Sequence, residues 1–187
     1  MTKNKKGFTI IEVVLVLAIA GLIFLMVFIA LPALQRSQRN TQREDDIARF
    51  LTAVNDYQTN NSGNTPFGTS YNKATIANFV KRYIESDVKS DGVDSGKSFT
   101  CSKASCPQFT DPDGTMYGFT VDVAEAGANG KAIKDQYAVT NPDHIVHVYV
   151  NAGCGASEGT YDISTGNRQI AMFYVEEGGA IVCNDNH

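Results

Sequence analysis

Hydrophobic residues are concentrated in one continuous run near the start of the chain. Across residues 13–34, about 22 successive positions carry no charged side chain. A helix needs roughly 20 apolar residues to cross the hydrocarbon core of a bilayer. Side chains that are apolar all round are typical of a helix buried in lipid or in protein. The run therefore predicts a helix that spans a membrane or lies inside an assembly.

The pattern beyond this run stays helical but changes character. Residues 35–46 are polar on every face of a helix, and apolar residues then recur at helical spacing. This apolar stripe consists of Ile47, Phe50, Leu51, Val54 and Tyr57. The polar, glycine- and proline-containing residues 60–66 form a clear stop. We expect one long helix over residues 8–60, whose second half packs its stripe on a C-terminal domain.

The remaining pattern predicts a second helix followed by strands. Residues 73–84 form an amphipathic helix candidate. Alternating, β-branched and aromatic segments predict four strands, and the turn Glu176-Glu177-Gly178-Gly179 joins the last two into a hairpin. The predicted strands are residues 116–123, 144–152, 168–175 and 180–183. Four successive strands suggest an antiparallel meander with one apolar face on the helix stripe, an α+β fold.

Charge is unevenly distributed along the 187 residues, whose formal net charge is −4. Residues 61–187 contain nine basic and fifteen acidic residues, a net of −6. An acidic domain repels phosphate backbones, so nucleic-acid binding by the bulk of this domain is disfavoured. Nothing marks a nucleophile elbow, and the chain has no phosphate-binding loop of the Gly-x4-Gly-Lys-Ser/Thr type. We therefore expect no enzymatic activity and no cofactor.

The four cysteines, Cys101, Cys106, Cys154 and Cys183, all follow the apolar run. An even number in an exported segment suits disulfides, and three pairings exist. We favour Cys101–Cys106, which are close in sequence, and Cys154–Cys183, which would close a loop of about 30 residues and stabilise the fold by roughly 3–4 kcal/mol. A zinc site is the rival interpretation, although Cys-x4-Cys is looser than the usual spacing.

Other candidate metal ligands have a simpler explanation. Asp111-x-Asp113-Gly114 resembles part of a calcium loop but lacks the later ligands, so a turn is favoured. His144 and His147 point to opposite faces of a strand, which indicates ordinary strand residues. We predict no metal site.

Glu12 is the unusual residue at the start of the apolar run. A carboxylate in a membrane segment is costly and marks a candidate functional site, although an interfacial glutamate that reaches the lipid surface is the alternative. Lys3, Lys5 and Lys6 precede the run as in a secretory signal peptide. The apolar core is too long for such a peptide, however, and no small-residue cleavage site follows it.

The segment Lys5-Lys6-Gly7-Phe8-Thr9-Ile10-Ile11-Glu12 resembles the start of a type IV prepilin. The likeness covers a basic leader, a Gly7-Phe8 junction, a glutamate at the fifth mature position and Gly21, where the family commonly has a glycine. It implies that a prepilin peptidase cleaves after Gly7 and N-methylates Phe8. It also implies that the mature protein polymerises into a filament.

The resemblance implies a type IV pilin-like fold with four parts: a leader (1–7), a membrane and filament-core half-helix (8–34), an amphipathic half-helix (35–60) and an exported head (61–187). The head would comprise an αβ-loop (61–113) and a four-stranded antiparallel sheet (114–187). In the filament, the Glu12 carboxylate would pair with the Phe8 amine of a neighbouring subunit. Pro32 by itself predicts a kink, because it leaves the Phe28 carbonyl without its usual donor. The resemblance implies instead local melting of the helix between Gly21 and Pro32.

The implied function is that of a major pilin, anchored in the membrane by one pass and later exported into an extracellular pilus on a bacterial surface. Such a pilus supports adhesion, motility or DNA uptake. Its implied partners are further copies of itself, minor pilins, and an assembly ATPase with an inner-membrane platform. Alternatives with the same leader are a minor pilin, a competence pseudopilin or a type II secretion pseudopilin; a tip adhesin or a DNA-binding module is a different class of function.

Three arginines follow the apolar run, namely Arg36, Arg39 and Arg43. They could contact DNA or lipid phosphates. We expect them instead to lie against acidic side chains of other subunits, such as Glu44 and Asp46.

Overall fold

The computed structural model describes residues 7–68, 73–84, 98–100, 111–115, 117–124, 130–132, 145–163, 166 and 168–186. The chain divides into two compact units, Met1–Gln38 and Arg39–His187. Its helices are α1 (Ile10–Asn60) and α2 (Lys73–Tyr83). Its strands are β1 (Ser98–Thr100), β2 (Gly118–Val123), β3 (Lys131–Ala132), β4 (Ile145–Val150), β5 (Ala152–Cys154), β6 (Thr160–Ile163), β7 (Ile170–Val175) and β8 (Ile181–Asp185).

The long helix begins two residues after the predicted residue 8 and ends where predicted, at Asn60. The first unit contains its apolar half, where the backbone is helical through both Gly21 and Pro32. Proline in a helix removes one backbone donor, but the helix continues on either side of it. The melting that the family resemblance implies concerns the filament and stays a prediction.

The second unit contains a five-stranded sheet in the order β1-β2-β4-β7-β8. The four predicted strands correspond to β2, β4, β7 and β8, so their positions and neighbours are confirmed. The predicted meander is wrong at its first step, because β2 and β4 are parallel, with Val121 opposite Val148. Residues 124–144 connect them, which is long enough for the crossover that a parallel pair requires. The other pairs in the sheet are antiparallel.

A second sheet, in the order β3-β6-β5, was not predicted. Asn151 separates β4 from β5 and has a left-handed φ of 63°, which turns the chain out of the first sheet. Tyr149, Ala171 and Phe173 of the first sheet pack with Ala152 and Tyr161 of the second. The prediction of a single apolar face is therefore wrong, because the central strands β4 and β7 are buried on both sides.

The main core lies between the helices and the other face of the five-stranded sheet. The predicted stripe on α1 is confirmed, and its residues share one cluster with α2 and with strands β2, β4 and β7. Phe50 is fully buried and stacks on Phe119 with ring centroids 4.7 Å apart. Phe79 of α2 contacts the Phe50 ring edge-on, with ring centroids 5.6 Å apart. Aromatic burial of this kind fixes the second half of α1 on the head.

Candidate functional site

The beginning of α1 is organised by Thr9 and Glu12. The backbone N–H of Thr9 donates to Glu12 Oε2 at 2.9 Å, and the Thr9 hydroxyl donates to the same oxygen at 2.8 Å. Thr9 directly precedes the helix and Glu12 is its third residue, so the bond from the Thr9 N–H to Glu12 is the glutamate half of a capping box. Sequence reasoning missed this role, although the Thr-x-x-Glu spacing before an apolar run is its signature.

The cap leaves part of the Glu12 carboxylate available. Both bonds end on Oε2, and neither involves Oε1. The surface around the carboxylate is apolar, with Phe8, Val13 and Val16 lining the same shallow groove. A carboxylate on such a surface would need a cationic partner once water is removed. Glu12 can therefore cap its own helix and still accept a positive group from another molecule.

The apolar half of α1 is exposed along its length. Phe8 is 90% exposed, and Phe24 and Phe28 are 64% and 72% exposed. The helix is long and apolar enough to cross a membrane, by length and composition, and its most apolar window is not buried inside the protein. Leaving these side chains in water would cost tens of kcal/mol, at about 1.5–3 kcal/mol for each large one. This surface therefore requires lipid or protein around it.

Arg43 and Asp111 form a buried ion pair in the second unit. Arg43 Nε donates to Asp111 Oδ2 at 2.7 Å and Nη2 donates to Oδ1 at 2.8 Å, and both side chains are almost fully buried. The bond to Asp111 raises the pKa of the Arg43 guanidinium. The predicted turn at residues 111–114 is confirmed by a bond from the Gly114 N–H to the Asp111 carbonyl. Asp111, the first residue of this turn, is therefore the residue that binds Arg43.

A second paired arginine joins α1 to the β7–β8 hairpin. Arg39 Nη2 donates to Glu177 Oε2 at 2.6 Å, and Arg39 Nε bonds the other carboxylate oxygen. Asn40 Oδ1 accepts the Glu177 N–H at 3.0 Å. The expectation that Arg39 and Arg43 meet acids of other subunits is therefore wrong, because both are paired within their own chain.

Two further titratable side chains are perturbed by burial. Burial raises the pKa of Asp46 to about 6, against the opposing effect of Arg49, whose Nη1 lies 3.5 Å from the carboxylate. Burial lowers the pKa of His147 to about 4. His147 lies on β4, with Nδ1 2.6 Å from Thr120 Oγ1 of β2. The imidazole is therefore neutral at pH 7.

Cys154 and Cys183 form a disulfide with Cα atoms 5.8 Å apart, which is the pairing favoured for them. It joins β5 of the small sheet to β8 of the large one. Cys101, Cys106 and His144 lie outside the described residues. Within the described ranges, no group of three or more His, Cys, Asp or Glu side chains is placed to hold a metal ion.

Comparison with known families identifies the N-terminal segment. Residues 2–28 match the family model described as the prokaryotic N-terminal methylation motif. The match contains Gly7, Phe8, Glu12 and Gly21, and it confirms the resemblance for this part of the chain. No curated protein and no solved structure matches the chain.

Proposed function

We propose, from the premise that residues 2–28 carry the class III leader signature of type IV pilins, that this protein is the major subunit of an extracellular type IV pilus. A leader of this kind implies processing by a prepilin peptidase and assembly into pilus-like polymers. The role is structural rather than catalytic. The pilus would serve adhesion, motility or DNA uptake.

The exposed apolar half of α1 is the observation that carries the proposal. Its surface suits two environments in turn, the bilayer before assembly and the helices of other subunits afterwards. Both environments remove the same apolar side chains from water, so transfer between them avoids the large cost of exposure. The subunit would accordingly remain a single-pass membrane protein until it enters the filament.

Leader processing would prepare Glu12 for its role in the filament. Cleavage after Gly7 removes Lys3, Lys5 and Lys6 and creates an α-amino group at Phe8. The positive amine of one subunit would then pair with the Glu12 carboxylate of its neighbour. A carboxylate packed among apolar helices is costly without such a partner, so the pair would favour correctly placed subunits.

Extraction from the membrane needs energy that this chain does not supply. The sequence contains no phosphate-binding loop of its own. We therefore propose an external assembly ATPase acting through an inner-membrane platform, with minor pilins as further partners. The second unit would form the outer surface of the pilus, and its disulfide suits a durable extracellular filament.

The test is to shear filaments from cells that make the protein, image them and identify their main component by mass spectrometry. We expect this chain to predominate, beginning at N-methylated Phe8. A matched Gly7→Val strain should retain the leader and lack filaments. Filaments built mainly of another protein would identify this chain as a minor pilin or pseudopilin. Recovery of the processed chain as a dissolved monomer that forms no filaments would overturn the proposal.

A further inference from the structure

Arg36 differs from the other arginines of α1. Arg39 is paired with Glu177, Arg43 with Asp111, and Arg49 with Asp46, all within the chain. Arg36 is exposed and has no ion-pair or hydrogen-bond partner within the described ranges. Three of the four charges are thus paired among the described residues, whereas that of Arg36 has no such pair there.

Helix geometry explains why no acidic side chain of α1 pairs with Arg36. Residues three and four positions away share a helix face, and these are Pro32, Ala33, Arg39 and Asn40. None of them is acidic, and Arg39 adds a like charge. The next acidic residue, Glu44, is eight positions further on, about 12 Å along the axis at 1.5 Å per residue. The helix itself therefore offers Arg36 no counter-charge within reach of its side chain.

Glu44 is the complementary group on the same helix. It is exposed and has no ion pair in the part of the chain that the structure describes. Its neighbours at three and four positions are Asn40, Thr41, Ile47 and Ala48, none of them cationic.

Asp45, beside Glu44, is a weaker candidate. It has Arg49 four positions further on, at the spacing of a favourable pair on a helix. Glu44 is therefore the carboxylate of this region that lacks a cation on its own helix.

We propose that Arg36 of one subunit forms an ion pair with Glu44 of a neighbouring subunit. The inference rests on the proposed function, since it requires that α1 helices pack side by side. Arg36 lies two residues beyond the apolar run, and packing of that run would withdraw water from its surroundings. A cation in such a place is costly unless a carboxylate meets it. The pair would therefore help to set the register between neighbouring helices.

A charge exchange tests this pairing in cells that produce the full chain. Arg36→Glu and Glu44→Arg should each lower the amount of sheared filament about tenfold or more, because each places like charges together. The double variant Arg36→Glu/Glu44→Arg should restore most of the filament. Arg82→Glu, an exposed charge reversal on α2, is the matched control and should leave the filament yield unchanged. Membrane levels of every variant are measured by immunoblotting.

The outcomes separate this inference from the proposed function. Recovery in the double variant, with unchanged membrane levels, supports the pair. Normal filaments in both single variants overturn it, and so does recovery by Arg36→Glu/Asp45→Arg without recovery by the Glu44 exchange. Lower membrane levels of Glu44→Arg that persist in the double variant would also overturn it, because Glu44 would then stabilise its own subunit. Absence of filaments from the unmodified chain would instead contradict the proposed function.

Discussion

At the residue scale, the buried Arg43–Asp111 pair explains how the turn at residues 111–114 is held against α1. The two hydrogen bonds satisfy both oxygens of a carboxylate that has almost no contact with water. Charges withdrawn from water to this degree depend on one another, although Glu177 Oε1 also lies 3.5 Å from Arg43 Nη2. The pair also accounts for the position of a turn whose own residues are polar.

Replacement of Asp111 tests this dependence. Asp111→Asn should lower the free energy of unfolding of the second unit by about 3–5 kcal/mol, since it leaves the Arg43 guanidinium buried without its main counter-charge. The measurement is urea unfolding of the detergent-solubilised full chain, followed by tyrosine fluorescence. Asp56→Asn, an exposed change on α1, is the control and should shift stability by less than about 0.5 kcal/mol. Equal midpoints for the two variants would contradict the role assigned to the pair.

His147 makes stability depend on pH. Its pKa is about 4 in the fold and ordinarily 6.5, so between these values the unfolded chain binds a proton that the folded chain does not. The contribution of His147 to the free energy of unfolding is therefore complete above pH 6.5. It falls by about 3 kcal/mol as the pH is lowered to 4. His147→Gln should remove this dependence when unfolding is measured across that range.

Asp46 changes stability with pH in the opposite direction to His147, so its effect has to be separated from that of His147. Its pKa is raised to about 6, so its contribution is present below its ordinary value of 3.8 and is lost as pH rises through 6. Asp46 is present in both proteins, and subtracting the two pH profiles isolates the effect of His147. Parallel profiles for the unmodified chain and His147→Gln would contradict the assignment.

At the element scale, the disulfide joins two sheets that also pack against each other. Cys154 lies on β5 and Cys183 on β8, at a sequence separation of 29. Closing a loop of this length restricts the unfolded chain. The Cys154 N–H also donates to Asp185 Oδ2 at 2.8 Å, which adds a second link at the same place. The small sheet should therefore depend on this covalent link more than the large one does.

Removal of the disulfide tests this dependence. Cys154→Ala/Cys183→Ala should lower the free energy of unfolding by about 3–4 kcal/mol on the loop-entropy account. Amide hydrogen exchange should accelerate most in β5 and β6, whereas β4 and β7, which are buried on both faces, should keep more of their protection. Uniform acceleration across all four strands would show that the link stabilises the unit as a whole instead.

At the scale of the whole molecule, a pair of variants can separate the helix-capping role of Glu12 from its proposed role in filament assembly. Glu12→Gln keeps an oxygen that can cap the helix but removes the charge, and it should abolish filaments. Thr9→Ala removes the hydroxyl bond to Glu12 Oε2 but keeps the backbone N–H bond and the charge, so it should leave filaments intact. Sheared filaments are quantified for both. Equal loss in the two variants would mean that Glu12 acts only through its cap.

Elements with local signals could be predicted from the hydrophobic pattern and the turn residues alone. The uncharged run at residues 13–34, the stripe from Ile47 to Tyr57 and the hairpin turn at residues 176–179 each appear in the hydrophobic pattern or in turn chemistry. All three are present in the structure, because the formation of a helix or a tight turn is set by residues that are close in sequence. The candidate site at Gly7, Phe8 and Glu12 was local as well, which is why a short motif was enough to indicate it.

Contacts between distant segments could not be predicted in this way and became visible in the folded chain. The parallel pairing of β2 and β4, the second sheet after Asn151 and the partners of Arg39 and Arg43 join residues far apart in sequence. Composition alone cannot choose among such pairings, because one carboxylate or one apolar strand suits many partners equally well. The choice follows from burial of both faces of β4 and β7, a condition that exists only when the whole second unit is packed.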